Sequence, residues 1–257
     1  MGYAFAKAFV QGEMVHAQNL MLFDKNEDRA AFLRDEKMGT VFTDYNALFA
    51  TAKVIVLAVK PQQATEVLEE LRPFTSENQI IFSIMAGYPT ESILKGANTD
   101  KVVRIMPNLP LLVEKGILGY HFSSALFENE EIELVRDLLH TTGDIVELDS
   151  EDKIDAITSM SGSGPAYVYY FMNSMMNGGK KVGFSTEESK KLTLATFKGA
   201  IELFEKNDIT FEDWIDRVSS KGGTTEAAIN TFKSEQIEDS IGKGIQAAYS
   251  RAKELGK

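Results

Sequence analysis

Every stretch of this chain that reads as a buried β-strand lies before residue 150, and everything after it reads as helix. That one-way switch calls for two domains, expected at 1–150 and 151–257. In the first, Val54–Val59 is the clearest strand, apolar throughout, as suits a parallel sheet with helices on both faces. Leu20–Phe23, Val41–Phe42, Ile80–Ile84, Val102–Met106 and Ile145–Leu148 are further strand candidates. Helical stretches, 3–12 and 26–37 among them, separate most of them. The alternation is an α/β pattern, and it makes right-handed crossovers the expected connections.

Beyond residue 150, segments 165–178, 186–206, 211–218, 224–232 and 235–254 read as helices. Gly178-Gly179, Gly183, Asn207-Asp208 and Gly222-Gly223 are the expected interruptions. Tyr167, Tyr169, Tyr170, Phe171, Met172, Met175 and Met176 crowd both sides of the first of these helices. A helix apolar all round has to be buried all round. Pairing with a second copy of the chain is therefore expected; the alternative is a central helix within its own domain.

Acidic residues outnumber basic ones by 38 to 27, a net charge of −11. Such a surplus argues against nucleic acid or an anionic membrane as partner. Cysteine is absent, which excludes disulfides, thiolate nucleophiles, iron–sulfur clusters and cysteine-bound zinc. His16, His121 and His140 show no metal-ligand spacing, so no metal site is expected. The longest apolar runs fall far short of the ~20 residues that cross a bilayer. The opening Met1–Lys7 has no basic leader before an apolar stretch. A soluble, cytoplasmic protein is the expectation.

A dinucleotide-binding domain opens with a strand, a glycine-rich turn and a helix, and carries an acidic residue at the end of its second strand. Here Asp24 ends the Leu20–Phe23 strand, and Gly2 stands where the third fingerprint glycine would. The first strand and the first two glycines are missing. Asp24 would accept the ribose hydroxyls of an unphosphorylated cofactor, whereas Lys25 and Arg29 would attract a 2′-phosphate. Periodicity leaves that choice open. Ala58-Val59-Lys60-Pro61 leaves the carboxyl end of the best strand, where open α/β sheets place ligands.

Two small-residue stretches stand out in the second half. Ser159-Met160-Ser161-Gly162-Ser163-Gly164-Pro165-Ala166 precedes the long apolar helix, with Pro165 near its first turn. Ser219-Ser220-Lys221-Gly222-Gly223-Thr224-Thr225-Glu226 opens another helix. Helix starts offer unpaired backbone N–H groups and a favourable dipole end to a carboxylate or phosphate; each is also readable as a tight packing turn. Arg104–Pro110 leaves a strand with two prolines fixing the backbone.

Together these residues resemble the pyrroline-5-carboxylate reductase family. The resemblance rests on Ala58-Val59-Lys60-Pro61-Gln62, Met106-Pro107-Asn108, Ser161–Ala166 and Gly222-Gly223-Thr224-Thr225, in the family's order and spacing, and it covers nearly the whole chain. It implies a Rossmann-like parallel-sheet domain followed by an all-helical dimerisation domain that often builds larger rings. It also implies reduction of the cyclic imine 1-pyrroline-5-carboxylate to L-proline with NADPH or NADH. Carried over by position, Gly2, Asp24, Lys25, Ala58, Val59, Lys60, Met106 and Asn108 would meet the cofactor. Ser161, Gly162, Ser163, Gly164, Gly223 and Thr224 would hold the substrate carboxylate. Thr225 would stand near the ring nitrogen and Asn108 near the nicotinamide, as the catalytic pair.

The family commonly has Thr where this chain has Leu109, and Pro where it has Lys221. The larger departure is at the start, where Met1-Gly2 reads as the tail of Gly-x-Gly-x-Met-Gly. The absent strand is central in the usual sheet, so its loss is expected to expose strand faces and remove the pyrophosphate cradle, as in a truncated chain. Two other readings stand beside this one. One is a related two-domain reductase of a 3-hydroxy acid or larger imine, for which Lys153 sits too far from the serine–glycine stretch. The other is a non-catalytic dimeric ligand sensor or structural protein.

Overall fold

The computed structural model describes residues 1–45, 47–124 and 126–255. The chain forms two compact units. One is Met1–Pro165 with the last stretch of chain from Ala248, and the other is Ala166–Ala247. The change from strands to helices thus comes before the boundary between compact units. Helix α6 (Asp152–Ile157) and the turn after it belong with the sheet, and the last helix, α11 (Ile237–Leu255), ends in the first unit.

In the first unit α1 (Gly2–Gln11) ends at Gly12 and buries Ala4, Phe5, Ala8 and Phe9. Strand β1 (Met21–Phe23) pairs in parallel with β2 (Thr40–Phe42), with α2 (Glu27–Glu36) between them. The Asn26 side chain caps α2 by accepting from the Arg29 N–H at 3.1 Å, as its place before a charged helix predicts. A second sheet runs in the order β3 (Val54–Leu57), β4 (Ile80–Ser83), β5 (Val102–Met106), β6 (Gly116–Phe122), β7 (Gly143–Glu147). Helices α3 (Ala64–Leu71), α4 (Thr90–Gly96) and α5 (Asn129–His140) connect its strands. Ile80, Phe82, Val103, Ile105 and Leu139 form the core on one side, and Leu57, Leu68, Ile81 and Val102 on the other. Being an edge strand, β3 keeps Val54, Ile55 and Val56 only half-buried, whereas β4 is buried throughout.

Two sequence expectations change. β6 is an additional strand, and it runs antiparallel to β5, so the β5–β6 connection is not a crossover. The return from Met106 to Gly116 takes nine residues, too few for a helical crossover. Strand β7 starts at Gly143, whose φ is +130° and whose Cβ, if it had one, would lie 2.2 Å from the Gly116 carbonyl oxygen. Gly143→Ala therefore meets backbone on both counts. It is expected to cost about 2–4 kcal/mol of unfolding free energy, read from the denaturant midpoint; a loss below ~1 kcal/mol would contradict that packing.

The second unit holds α7 (Gly164–Lys181), continuing from the first, then α8 (Thr186–Glu205), α9 (Phe211–Val218), α10 (Thr224–Ser234) and most of α11. Gly178-Gly179 does not break α7. Instead Gly179 lets α8 approach, since a Cβ there would lie 2.8 Å from the Ser189 Oγ. Gly183, at φ +105°, follows the helix end. Among its described residues only Ser189 and Thr193 are buried. Tyr169, Tyr170, Val182, Leu192, Ile201, Leu203, Phe211 and Val218 are all exposed in the single chain. No helix among the described residues is long and apolar enough to cross a membrane.

Candidate functional site

The carboxyl ends of β3 and β5 and the turn before α7 gather the candidate residues of the first unit. Gly2 lies against the exit of β3: a Cβ on it would fall 2.8 Å from the Ala58 Cβ. The start of α1 thus packs against Ala58 as the third fingerprint glycine allows, while the glycine turn that brings backbone to a pyrophosphate is not part of this sequence. Ala58 and Lys60 are exposed there and Val59 is half-buried. These residues fit the part of a nicotinamide dinucleotide site that follows the glycine turn.

At the end of β1, the Asp24 carboxylate accepts from the Asn26 N–H at 2.9 Å. The Lys25 ammonium is held by Glu66 and Glu70, at 2.8 and 2.9 Å. Hydrogen bonds from those carboxylates push its pKa up. Arg29 is different. Its guanidinium lies 5.1 Å from the centre of the Phe32 ring, and that ring packs 5.1 Å from Tyr3 in the first turn of α1. It stands in the first turn of α2, just past Asp24 at the end of β1, engaged with a ring.

Leaving β5, Met106 is half-buried and Asn108 is buried. The Asn108 amide is fixed at both ends. Its Oδ1 accepts from the Ile117 N–H of β6 at 3.1 Å, and its Nδ2 donates to the Ser161 Oγ at 3.2 Å. Gly162 rests on Met106, whose Cε would lie 2.5 Å from a Cβ there. The serine–glycine stretch is not a free helix start as its composition suggests. α6 runs into a widened helical turn over Thr158–Gly162, closed by the Ser163 N–H donating to the Thr158 carbonyl at 2.9 Å, and α7 follows at once. Single widened turns of this kind gather at functional sites. Pro165 has no N–H to return to the Ser161 carbonyl. Ser161, Gly162, Ser163 and Gly164 are all half-buried.

In the second unit Gly222 takes φ +75°, and its N–H donates to the Glu226 carboxylate at 2.7 Å. A Cβ on Gly223 would fall 2.6 Å from the Ser220 Oγ. The double glycine is needed at both positions, once for backbone sign and once for space. Gly223 precedes α10 and no side chain caps it. The first-turn N–H groups, with Thr224 and Thr225 among them, face outward at the positive end of the helix dipole.

Sequence reading passed over the α6 helix, the widened turn and the role of β6 in holding Asn108. It also did not pair Arg104 with Glu151, which form an ion pair at 2.7 Å at the start of α6. Glycine-rich β6 carries a weak strand signal, and an ion pair between residues 47 apart in sequence leaves no local pattern.

Comparison with known proteins bears on the whole chain. Residues 151–255 match the family described as pyrroline-5-carboxylate reductase dimerisation. Residues 1–87 match NADP oxidoreductase, coenzyme F420-dependent. The chain is 36% identical to the pyrroline-5-carboxylate reductase of Pseudomonas aeruginosa over 232 residues, 90% of this chain and 84% of that one. Against the enzyme of Corynebacterium melassecola the identity is 33% over 261 residues, 100% of this chain and 96% of the other. The crystal structure of the Plasmodium falciparum pyrroline carboxylate reductase with NADP bound superposes with a TM-score of 0.89 at 28% identity, covering 100% of this chain and 95% of that one.

Proposed function

Because this chain belongs to the pyrroline-5-carboxylate reductase family, we propose that its two units share one reaction, the reduction of 1-pyrroline-5-carboxylate to L-proline, with the residues singled out above in the roles their positions imply. The reaction is the last step of proline biosynthesis. The single observation that carries the assignment of roles is the Asn108–Ser161 contact at 3.2 Å. It joins the end of the nucleotide-binding sheet to the serine–glycine turn through two buried or half-buried side chains.

A nicotinamide dinucleotide, when bound, supplies the hydride. Gly2 and the first turn of α1 would lie against its pyrophosphate beside Ala58, Val59 and Lys60, and Met106 and Asn108 would wall the nicotinamide side. The uncapped start of α10 at Gly223-Thr224 offers N–H groups to the substrate carboxylate, and the family resemblance adds Ser161, Gly162, Ser163 and Gly164, of which the Ser163 N–H is already given to the Thr158 carbonyl. That hold keeps the anion away from the path of attack. The Thr225 hydroxyl orients the ring N–H, since the imine carbon accepts hydride most readily when its nitrogen is protonated. No histidine is needed. Alignment to roughly 3–3.5 Å is the protein's main contribution.

The preferred cofactor is NADPH. Lys25 is already paired with two carboxylates, whereas Arg29 stands over a ring beside the first turn of α1. A charge-assisted bond to the 2′-phosphate contributes about 1.5–3 kcal/mol, so Arg29→Ala is expected to raise the KM for NADPH about 10-fold or more. The KM for NADH should stay within about 2-fold. Equal changes for both nucleotides would contradict the role.

The helical region 151–257 works as a homodimer. Its apolar side chains find almost no burial within one chain, and a second copy of the same surface covers them. The overall assignment is tested by steady-state assay with pyrroline-5-carboxylate, following proline as well as nucleotide oxidation. Asn108→Ala should lower kcat/KM at least ~10-fold, the order lost with one positioning hydrogen bond; an unchanged value would remove Asn108 from the site.

A further inference from the structure

Arg104 is the most unusual charged residue of the first unit. It stands in the middle of β5 with a side chain only 4% exposed. Its Nη1 donates to the Glu151 Oε1 at 2.7 Å, and that same oxygen accepts from the Thr90 N–H at 2.8 Å. Its Nε and Nη2 are buried without a hydrogen-bond partner. So are the Oγ of Ser83, its neighbour across the ladder on β4, and the Asp155 Oδ1, one helical turn beyond Glu151. On the other side Arg104 is in register with His121 of β6, whose Nδ1 is engaged with the Leu148 carbonyl at 2.9 Å. A buried guanidinium with donors to spare is an expensive thing to place in a sheet. A purely structural core would put an apolar residue there, as Val102, two residues back on the same face of β5, shows.

What the residue gains is position. Glu151 immediately precedes α6, and α6 leads without interruption into the widened turn that carries Ser161. From Arg104 to Asn108 the strand and its exit advance about 13 Å at ~3.3 Å per residue. From Glu151 to Ser161 the helical segment advances about 15 Å at ~1.5 Å per residue. The two lengths match, and the structure ties them at both ends, Glu151 to Arg104 and Ser161 to Asn108, with Gly162 seated on Met106 near the second tie. Burial works to raise the Glu151 carboxyl, but the hydrogen bonds from Arg104 and the Thr90 N–H outweigh it and hold the group below the usual carboxylate range. The tie is therefore ionic at neutral pH. Asp155 shifts the other way: burial pushes its carboxyl up, against the pull of Arg104 and Lys253.

We propose that Arg104 is a positioning residue for the reduction: paired with Glu151, it fixes where α6 begins on β5 and thereby sets the place at which Ser161 meets Asn108 and the serine–glycine turn meets the substrate carboxylate. The role rests on the reaction and the carboxylate site assigned above. Arg104 itself touches neither substrate nor cofactor. It acts ten residues away through a rigid helical segment, and it sets substrate placement rather than nucleotide binding.

The experiment compares kcat and both KM values in the full chain, its Glu151→Gln and Arg104→Lys variants, and the Arg104→Met/Glu151→Met pair. Glu151→Gln keeps shape and an acceptor for Thr90 while removing the charge. It is expected to raise the KM for pyrroline-5-carboxylate about 10-fold with the nucleotide KM within 2-fold. The double methionine variant, with no unpaired charge left, should recover melting temperature but not substrate KM. In a Ser161→Ala background, Glu151→Gln should add less than 2-fold, because the contact it controls is already gone. A crystal structure of the Glu151→Gln chain should show the Asn108–Ser161 contact opened beyond hydrogen-bond distance. Recovery of substrate KM along with stability in the double variant, or full multiplication of the Glu151 and Ser161 effects, would overturn the positioning role while leaving the reaction in place. A wild-type chain without imine turnover would instead overturn the reaction on which the role rests.

Discussion

Tyr170→Asp is expected to leave the chain monomeric and to abolish measurable turnover. Tyr170 is 71% exposed in the single chain, on α7, with Tyr169 and Val168 exposed beside it. A solvent-facing aromatic helix in a unit whose only buried described residues are Ser189 and Thr193 makes sense as an interface, not as a surface. In a two-fold dimer the same surface is used by both copies, so one substitution buries two carboxylates. At several kcal/mol for each unpaired charge, the sum is on the order of 6 kcal/mol, or about 10⁴-fold in dissociation constant. Sedimentation equilibrium at micromolar concentration reads this directly. A Tyr170→Asp chain that stays dimeric and active would place the interface on another face.

Thr225→Ala is expected to lower kcat at least ~10-fold with little change in nucleotide affinity. The residue is in the first turn of α10, at a helix start that no side chain caps and where Gly222 and Gly223 leave the backbone close to whatever binds. Its hydroxyl is assigned to the ring N–H, from which it accepts, and it contributes by holding the imine carbon in line with the hydride donor. A factor of ten corresponds to about 1.4 kcal/mol, the ordinary value of one such bond. Thr225→Ser retains the hydroxyl and should restore most of the rate. If Thr225→Ala is as fast as the parent chain, the nitrogen is oriented by another group.

Much of this architecture was legible in the residues themselves. Val54–Leu57 and Ile80–Ser83 announce themselves as largely apolar runs, the pattern of a parallel sheet with helices on both faces, and Val102–Met106 does so despite Arg104 at its centre. α8 is marked by Ser185 and Glu188, which form a reciprocal cap at its start. Two features stayed hidden for a common reason: their glycines serve packing rather than local conformation. β6 is interrupted by Gly119, where a Cβ would fall 2.6 Å from Ile157 of α6, and a strand weakened by glycine has no pattern to read. Gly178-Gly179 reads as a helix end, yet α7 passes through it because α8 comes close at Gly179.

The candidate site divides in the same way. Asn108, Ser161–Gly164 and Gly222–Thr225 are contiguous motifs, visible as such. The partners that fix them are not contiguous. Asn108 is held by β6 and Ser161, and α6 is held by Arg104 through Glu151. Long-range polar pairs become visible only once the sheet has brought them together. Lys25 shows the converse. It looks like a phosphate ligand from its place beside Asp24, but Glu66 and Glu70 on α3 already occupy it.

The most direct measurement is isotopic. The purified chain is incubated with 1-pyrroline-5-carboxylate and NADPH deuterated at the transferable position of its nicotinamide, and the proline formed is analysed by mass spectrometry. The account predicts L-proline carrying one deuterium on the ring carbon that was doubly bonded to nitrogen, formed in step with nucleotide oxidation. Proline without the label, or nucleotide binding with no proline at all, would contradict it.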